Sequence, residues 1–71
     1  MTPIRKKFAD NLKKIRESKG YTQEQLAEKL DISTRYIQLL ESSKRCPNVK
    51  IETLASLAKA LTVKPGAFLS E

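Results

Sequence analysis

The sequence predicts an all-α domain of five helices and no strand, and three observations carry that reading. Apolar residues recur at intervals of three and four along nearly the whole chain. Capping and breaking residues, among them Gly20, Thr22, Asp31, Ser33 and Pro65, fall between those periodic stretches. Seventy-one residues supply one small core, with ~60% of the unfolded surface buried on folding. A single compact domain over residues 1–71 is therefore expected, with little room for an enclosed active site.

In the first helix Ile4, Phe8, Leu12 and Ile15 share one face. Thr2 is placed to cap it, Pro3 suits its first position, and Gly20 can end it with a positive φ. Arg5, Lys6, Lys7, Lys13 and Lys14 fall off the apolar stripe and read mainly as a solvated outer face.

The second helix opens on Thr22-Gln23-Glu24-Gln25, a capping box in which hydroxyl and amide satisfy each other's backbone amides. Leu26, Ala27 and Leu30 form its inner face, and small Ala27 allows a close helix neighbour. Asp31 sits at the break, where a left-handed conformation is wanted and Asp is among the few tolerated residues. Ile32 then tucks the turn into the core.

Ser33 is a good N-cap for a third helix, from Thr34 to about Ser42. Ile37 and Leu40 face inward, while Thr34, Arg35, Gln38 and Leu39 point away. Such residues commonly serve solubility. They also suit base edges in a major groove: Arg bidentate to guanine, Gln to adenine, a Thr or Leu methyl beside thymine. Two short helices joined by a tight break, over about residues 22–42, are the layout of a helix-turn-helix.

Ser42 to Lys50 is the one extended loop, rich in turn formers. Lys44 and Arg45 stand where the chain leaves the third helix, as a phosphate clamp or as a solvated charge pair. A fourth helix follows with Ile51, Leu54, Leu57, Ala58 and Leu61 on its inner face, and Asn48 is placed to cap it. After a link at 62–64, Pro65 opens a last turn carrying Phe68 and Leu69. These two either close the core or form an apolar patch for a second copy.

Charge and composition narrow the function classes. The net charge of +6 and pI near 9.7 point to a polyanionic partner. Residues 1–20 carry seven bases and two acids, residues 21–41 two and four, and residues 42–71 five and two. Basic ends thus flank a centre that is not itself cationic, which suits backbone contacts at the edges and a polar reading surface between them. With one cysteine, Cys46, and no histidine, neither a disulfide framework nor a Cys/His metal cluster can form within the chain. Cys46 reads as an ordinary loop cysteine. No apolar run approaches the ~20 residues of a membrane span and no signal-peptide pattern opens the sequence, so a cytoplasmic location is expected.

YTQEQLAEKLDISTRYIQLLE, followed by a loop and IETLASLAKAL, resembles the phage repressor/Cro-type, or XRE-like, helix-turn-helix family over roughly residues 8–69. The extra length through NVK is similar to the small controller proteins of restriction–modification systems. The resemblance implies a lambda-repressor-like five-helix domain that binds double-stranded DNA, usually as a symmetric homodimer, with no cofactor. It implies base or groove contacts for Ser33, Thr34, Arg35 and Gln38. Gln23, Tyr36, Ser43, Lys44 and Arg45 match phosphate-contacting positions, and Arg16 and Glu41 match an ion pair tying the first helix to the third. Two residues depart from the family's habit. Asp31 stands where Gly is common, and Ser42-Ser43 replaces a Gly-containing pair.

A transcriptional regulator, repressor or activator, binding an inverted repeat is the leading expectation, with dimer contacts near Phe68 and Leu69. The alternative is a protein-interaction module such as the antitoxin of a toxin pair, against which stands the lack of a long tail beyond the last helix. A membrane-surface peptide is a poor reading, because the core claims the apolar face of the first helix. An enzyme is the least expected, for want of histidine, a glycine-rich loop or paired carboxylates in a cleft.

Overall fold

The computed structural model describes residues 3–69, so the Thr2 cap lies outside the described residues. Four α-helices are followed by a short 3-10 helix: α1 (Pro3–Ser18), α2 (Gln23–Leu30), α3 (Thr34–Leu40), α4 (Ile51–Leu61) and Pro65–Leu69. No strand occurs among the described residues. The expected fifth helix is thus the tighter, shorter form, as fits a five-residue segment opening on Pro-Gly.

One backbone device ends three of the four α-helices. Gly20 (φ 80), Asp31 (φ 57) and Thr62 (φ 56) occupy the left-handed region. Their amides donate to the carbonyls of Glu17, Glu28 and Lys59, and the next residue in each case reaches one carbonyl further back. Tyr21 bonds to Arg16 at 3.2 Å, Ile32 to Ala27 at 3.0 Å and Val63 to Ala58 at 2.9 Å. This paired pattern satisfies carbonyls that a helix end otherwise leaves open. Tyr21, Ile32 and Val63 then fold back against the core, so each stop also becomes a packing contact.

The core draws Phe8 and Leu12 from α1, Leu26 and Ala27 from α2, Ile37 and Leu40 from α3, and Leu57 and Leu61 from α4. Phe68 closes it, with its ring 5.6 Å from that of Phe8 at 57°, a tilted arrangement that aromatic quadrupoles favour. The Asn11 amide donates to the Phe68 carbonyl at 2.8 Å, pinning the 3-10 helix onto α1. Phe68 is therefore fully buried within its own molecule, and of the pair expected at a second copy only Leu69 remains exposed.

Other boundaries shift for physical reasons. Ile4 is 58% and Ile51 82% exposed. Each is the outermost member of its apolar stripe, one turn beyond the last fully buried or half-buried neighbour. Lys50, not Asn48, is the N-cap residue of α4, and no side chain caps that end. Helix α3 stops at Leu40, two residues short of Ser42, where the Ser42 amide bonds back to Leu39 at 3.1 Å in a tightened last turn. Cys46 is a core residue despite its place in the loop. Burial pushes its thiol pKa up, against a smaller opposing effect of Arg5.

Candidate nucleic-acid interface

Helices α2 and α3 pack against each other, and both start on side-chain caps. Thr22 Oγ1 accepts from the Gln25 amide at 3.0 Å while Gln25 Oε1 accepts from the Thr22 amide at 2.8 Å. Ser33 Oγ accepts from the Tyr36 amide at 3.1 Å. The start of α3 is thus fixed relative to the turn, and its buried residues Ile37 and Leu40 fix which face looks outward.

Arg35 and Gln38 are exposed, and within the described residues neither side chain has a hydrogen-bond or salt-bridge partner. Thr34 and Leu39 are half-buried beside them. Ser33 has its oxygen committed as a cap, which leaves its hydroxyl proton as the group to offer. Tyr36 is half-buried, and its ring packs on the core beside Leu30 and Ile32 along a shallow groove of about 150 Å³.

A polar junction joins α1, α2 and α3 behind this surface. Arg16 is 7% exposed. Its Nε donates to Glu41 Oε2 at 2.6 Å, its Nη2 to Glu41 Oε1 at 3.1 Å, and its Nη1 to the Tyr21 carbonyl at 2.7 Å. Two parallel bonds to one carboxylate form the bidentate fork that arginine favours. The bond to Glu41 raises the Arg16 pKa above its ordinary value, against the lowering effect of burial. The buried guanidinium stays charged. Gln23 joins the same carboxylate, its Nε2 donating to Glu41 Oε1 at 3.1 Å. That bond had no signal in the sequence, because the two residues stand 18 positions apart. It ties the Gln23 side chain, at the start of α2, to the end of α3.

Beyond Glu41 the loop is shaped by Ser42, whose Oγ accepts from the Arg45 amide at 3.0 Å and whose carbonyl accepts from the Cys46 amide at 3.0 Å. The turn holds Lys44 and Arg45 in solvent, with Ser43 half-buried next to them. Buried Cys46 anchors the far side of the turn. Among the described residues no group of three metal-ligating side chains gathers, and no helix is long and apolar enough to cross a membrane. What the surface offers is one exposed guanidinium and one exposed carboxamide on a convex rod, bordered by a two-cation loop.

A helix-turn-helix family model matches residues 12–68. Similar solved structures include the restriction–modification controller protein C.AhdI from Aeromonas hydrophila, 30% identical with a TM-score of 0.81, covering 90% of this chain and 94% of that one. The controller protein C.Esp1396I is 34% identical with a TM-score of 0.81, over 96% of this chain and 87% of that one. The clp gene regulator ClgR from C. glutamicum is 31% identical with a TM-score of 0.86, over 96% and 85%. No curated protein sequence matches the chain.

Proposed function

We propose that this chain, which belongs to the phage repressor/Cro (XRE-like) type of the helix-turn-helix family, reads a specific duplex sequence with α3 laid in the major groove. Membership makes it a DNA-binding regulator of transcription and not an enzyme. The finer reading is a homodimer on an inverted repeat, with half-site centres about one helical turn, ~34–36 Å, apart. Its similarity to C.AhdI and C.Esp1396I, both controller proteins, supports the same role in a restriction–modification system. A cytoplasmic location goes with that role.

The observation that carries this reading is the free outer face of α3. Arg35 and Gln38 have donors and acceptors with no partner among the described residues, on a helix whose inner face is fully engaged. An unpaired guanidinium matches O6 and N7 of guanine, and a carboxamide matches N6 and N7 of adenine. Thr34 and Ser33 sit at the entry to the groove. The Gln23 backbone at the start of α2, with Tyr36, Ser43, Lys44 and Arg45, supplies phosphate contacts on either side.

Selection of bound duplexes from a random pool tests it, with an enriched palindrome as the expected result. On that duplex Arg35→Ala should lose about 1–3 kcal/mol and relax preference at one base pair. Lys44→Ala should weaken every duplex alike and reduce the salt slope by about one. Equal losses for Arg35→Ala on cognate and random duplexes would falsify base reading by that side chain.

A further inference from the structure

Resting on the reading of α3 as the helix laid in the groove, we propose that Gln23 is a positioning residue for sequence discrimination. Its side chain braces α3 through Glu41, and the phosphate contact at the start of α2 is left to the backbone. Gln23 is the first residue of α2, and Glu41 is the residue that ends α3. The turn from Asp31 to Ser33 joins the other ends of these two helices. With eight and seven residues at ~1.5 Å each, they form arms of roughly 12 and 10 Å, open at the ends away from the turn. The bond from Gln23 Nε2 to Glu41 Oε1, at 3.1 Å, closes that opening.

Arg16 acts on a different pair of elements. Its fork reaches Glu41 from α1, so it ties α3 to the first helix and leaves the opening between α2 and α3 unbraced. The Glu41 side chain is 3% exposed, and Oε1 takes the Arg16 Nη2 and Gln23 Nε2 donors together. A donor lost from so enclosed a carboxylate is poorly replaced by water. A rotation of about 5° about the turn carries the far end of a ~10 Å arm by about 0.9 Å, beyond the ~0.5 Å within which contacting groups must be held. Gln38 stands in the outer half of that arm and Arg35 next to the pivot. Loss of the brace is therefore felt more at the base pair facing Gln38 than at the one facing Arg35.

Gln23→Met tests this, because it keeps the side-chain length and removes the donor. Affinity for the selected duplex should fall about tenfold, the low end for a bond to a charged group, and affinity for random duplex by less than about twofold. The salt slope should stay at the parent's value on both. In an Arg16→Met/Glu41→Leu background, shown to be folded by circular dichroism, Gln23→Met should change discrimination no further. Equal losses on both duplexes with the salt slope reduced by about one are the mark of a direct phosphate contact by this side chain, and overturn the proposal. An undiminished effect of Gln23→Met in the background without Glu41 overturns it too. A second readout needs no DNA. Hydrogen exchange of the Glu41 and Ser42 amides, which bond to Ile37 and Leu39 at the end of α3, should quicken about tenfold in Gln23→Met, with α1 and α4 little changed. A parent chain without duplex preference sinks the regulator reading, and the exchange rates then decide the brace alone: unchanged protection overturns it.

Discussion

Helix α2 ends on its own backbone, with Asp31 in the left-handed region and the Asp31 and Ile32 amides returned to Glu28 and Ala27. Helix α3 ends otherwise. Glu41 has φ −90 and ψ −1, no left-handed residue follows, and the Glu41 carboxylate is held by Arg16 from α1 and Gln23 from α2. A backbone cap fixes where a helix stops and says nothing about where it points. A carboxylate gripped from two other helices fixes direction as well. The clamp falls on the helix proposed to read base edges, a task that would need its outward side chains placed within about 0.5 Å.

The same contrast accounts for both departures from the family's habitual glycines. Asp31 takes the left-handed turn directly, as Asp is able to do. Ser42 and Ser43 replace glycine without strain, because that segment uses no positive φ and Ser42 instead accepts from the Arg45 amide.

The largest effect should come from breaking the clamp. Glu41→Ala strips a buried guanidinium of its bidentate carboxylate, leaving the Tyr21 carbonyl and the more distant, exposed Glu17 at 3.9 Å, and should cost about 3 kcal/mol in chemical denaturation. The Arg16→Met/Glu41→Leu double variant, which leaves no orphaned charge, should cost far less than the single change while still loosening α3 and blunting duplex discrimination. A loss below about 1 kcal/mol for Glu41→Ala, the range of exposed pairs, would show that the clamp does not hold α3.

Glycine substitutions sharpen the contrast at smaller scale. Thr62→Gly relieves a β-branched residue held at φ 56 and should stabilise by about 1 kcal/mol. Ser42→Gly relieves nothing, loses the Oγ bond to Arg45 and adds unfolded-chain entropy, so it should destabilise by about 1 kcal/mol. Opposite signs in thermal melts are the expected outcome.

The smallest effect concerns pH. Burial raises the Cys46 pKa in the folded chain, so stability is fully present below the unfolded thiol value of about 8.5 and is lost as pH rises above it. Cys46→Ala should remove that alkaline slope in denaturation midpoints, whatever it costs in packing.

Local chemistry was legible in the sequence and tertiary chemistry was not. The Thr22 capping box, the Ser33 cap and the Asp31 turn are complete within four residues, and each forms at its expected place. The Asn48 cap was misplaced because the Pro47-Asn48 turn formers lie before α4, which begins only after Lys50. Ile4 and Ile51 were read as core because periodicity marks a face of a helix and cannot tell how far a neighbour covers it. The burial of Cys46 and the Gln23–Glu41 bond had no sequence signal. Their roles exist only once the loop turns back and Glu41 lies beside α2. The bond geometry of Arg16 and Glu41, residues 25 positions apart, likewise had to come from the packed structure.

Helix α3 is seven residues long and α2 is eight, well below the ~12–15 at which an isolated helix becomes even marginal in water. A peptide cut from residues 33–41 should therefore be a random coil with no taste for any duplex. Whatever message α3 carries cannot be transplanted by copying its letters alone; the borrowed rigidity of its neighbours must travel with it.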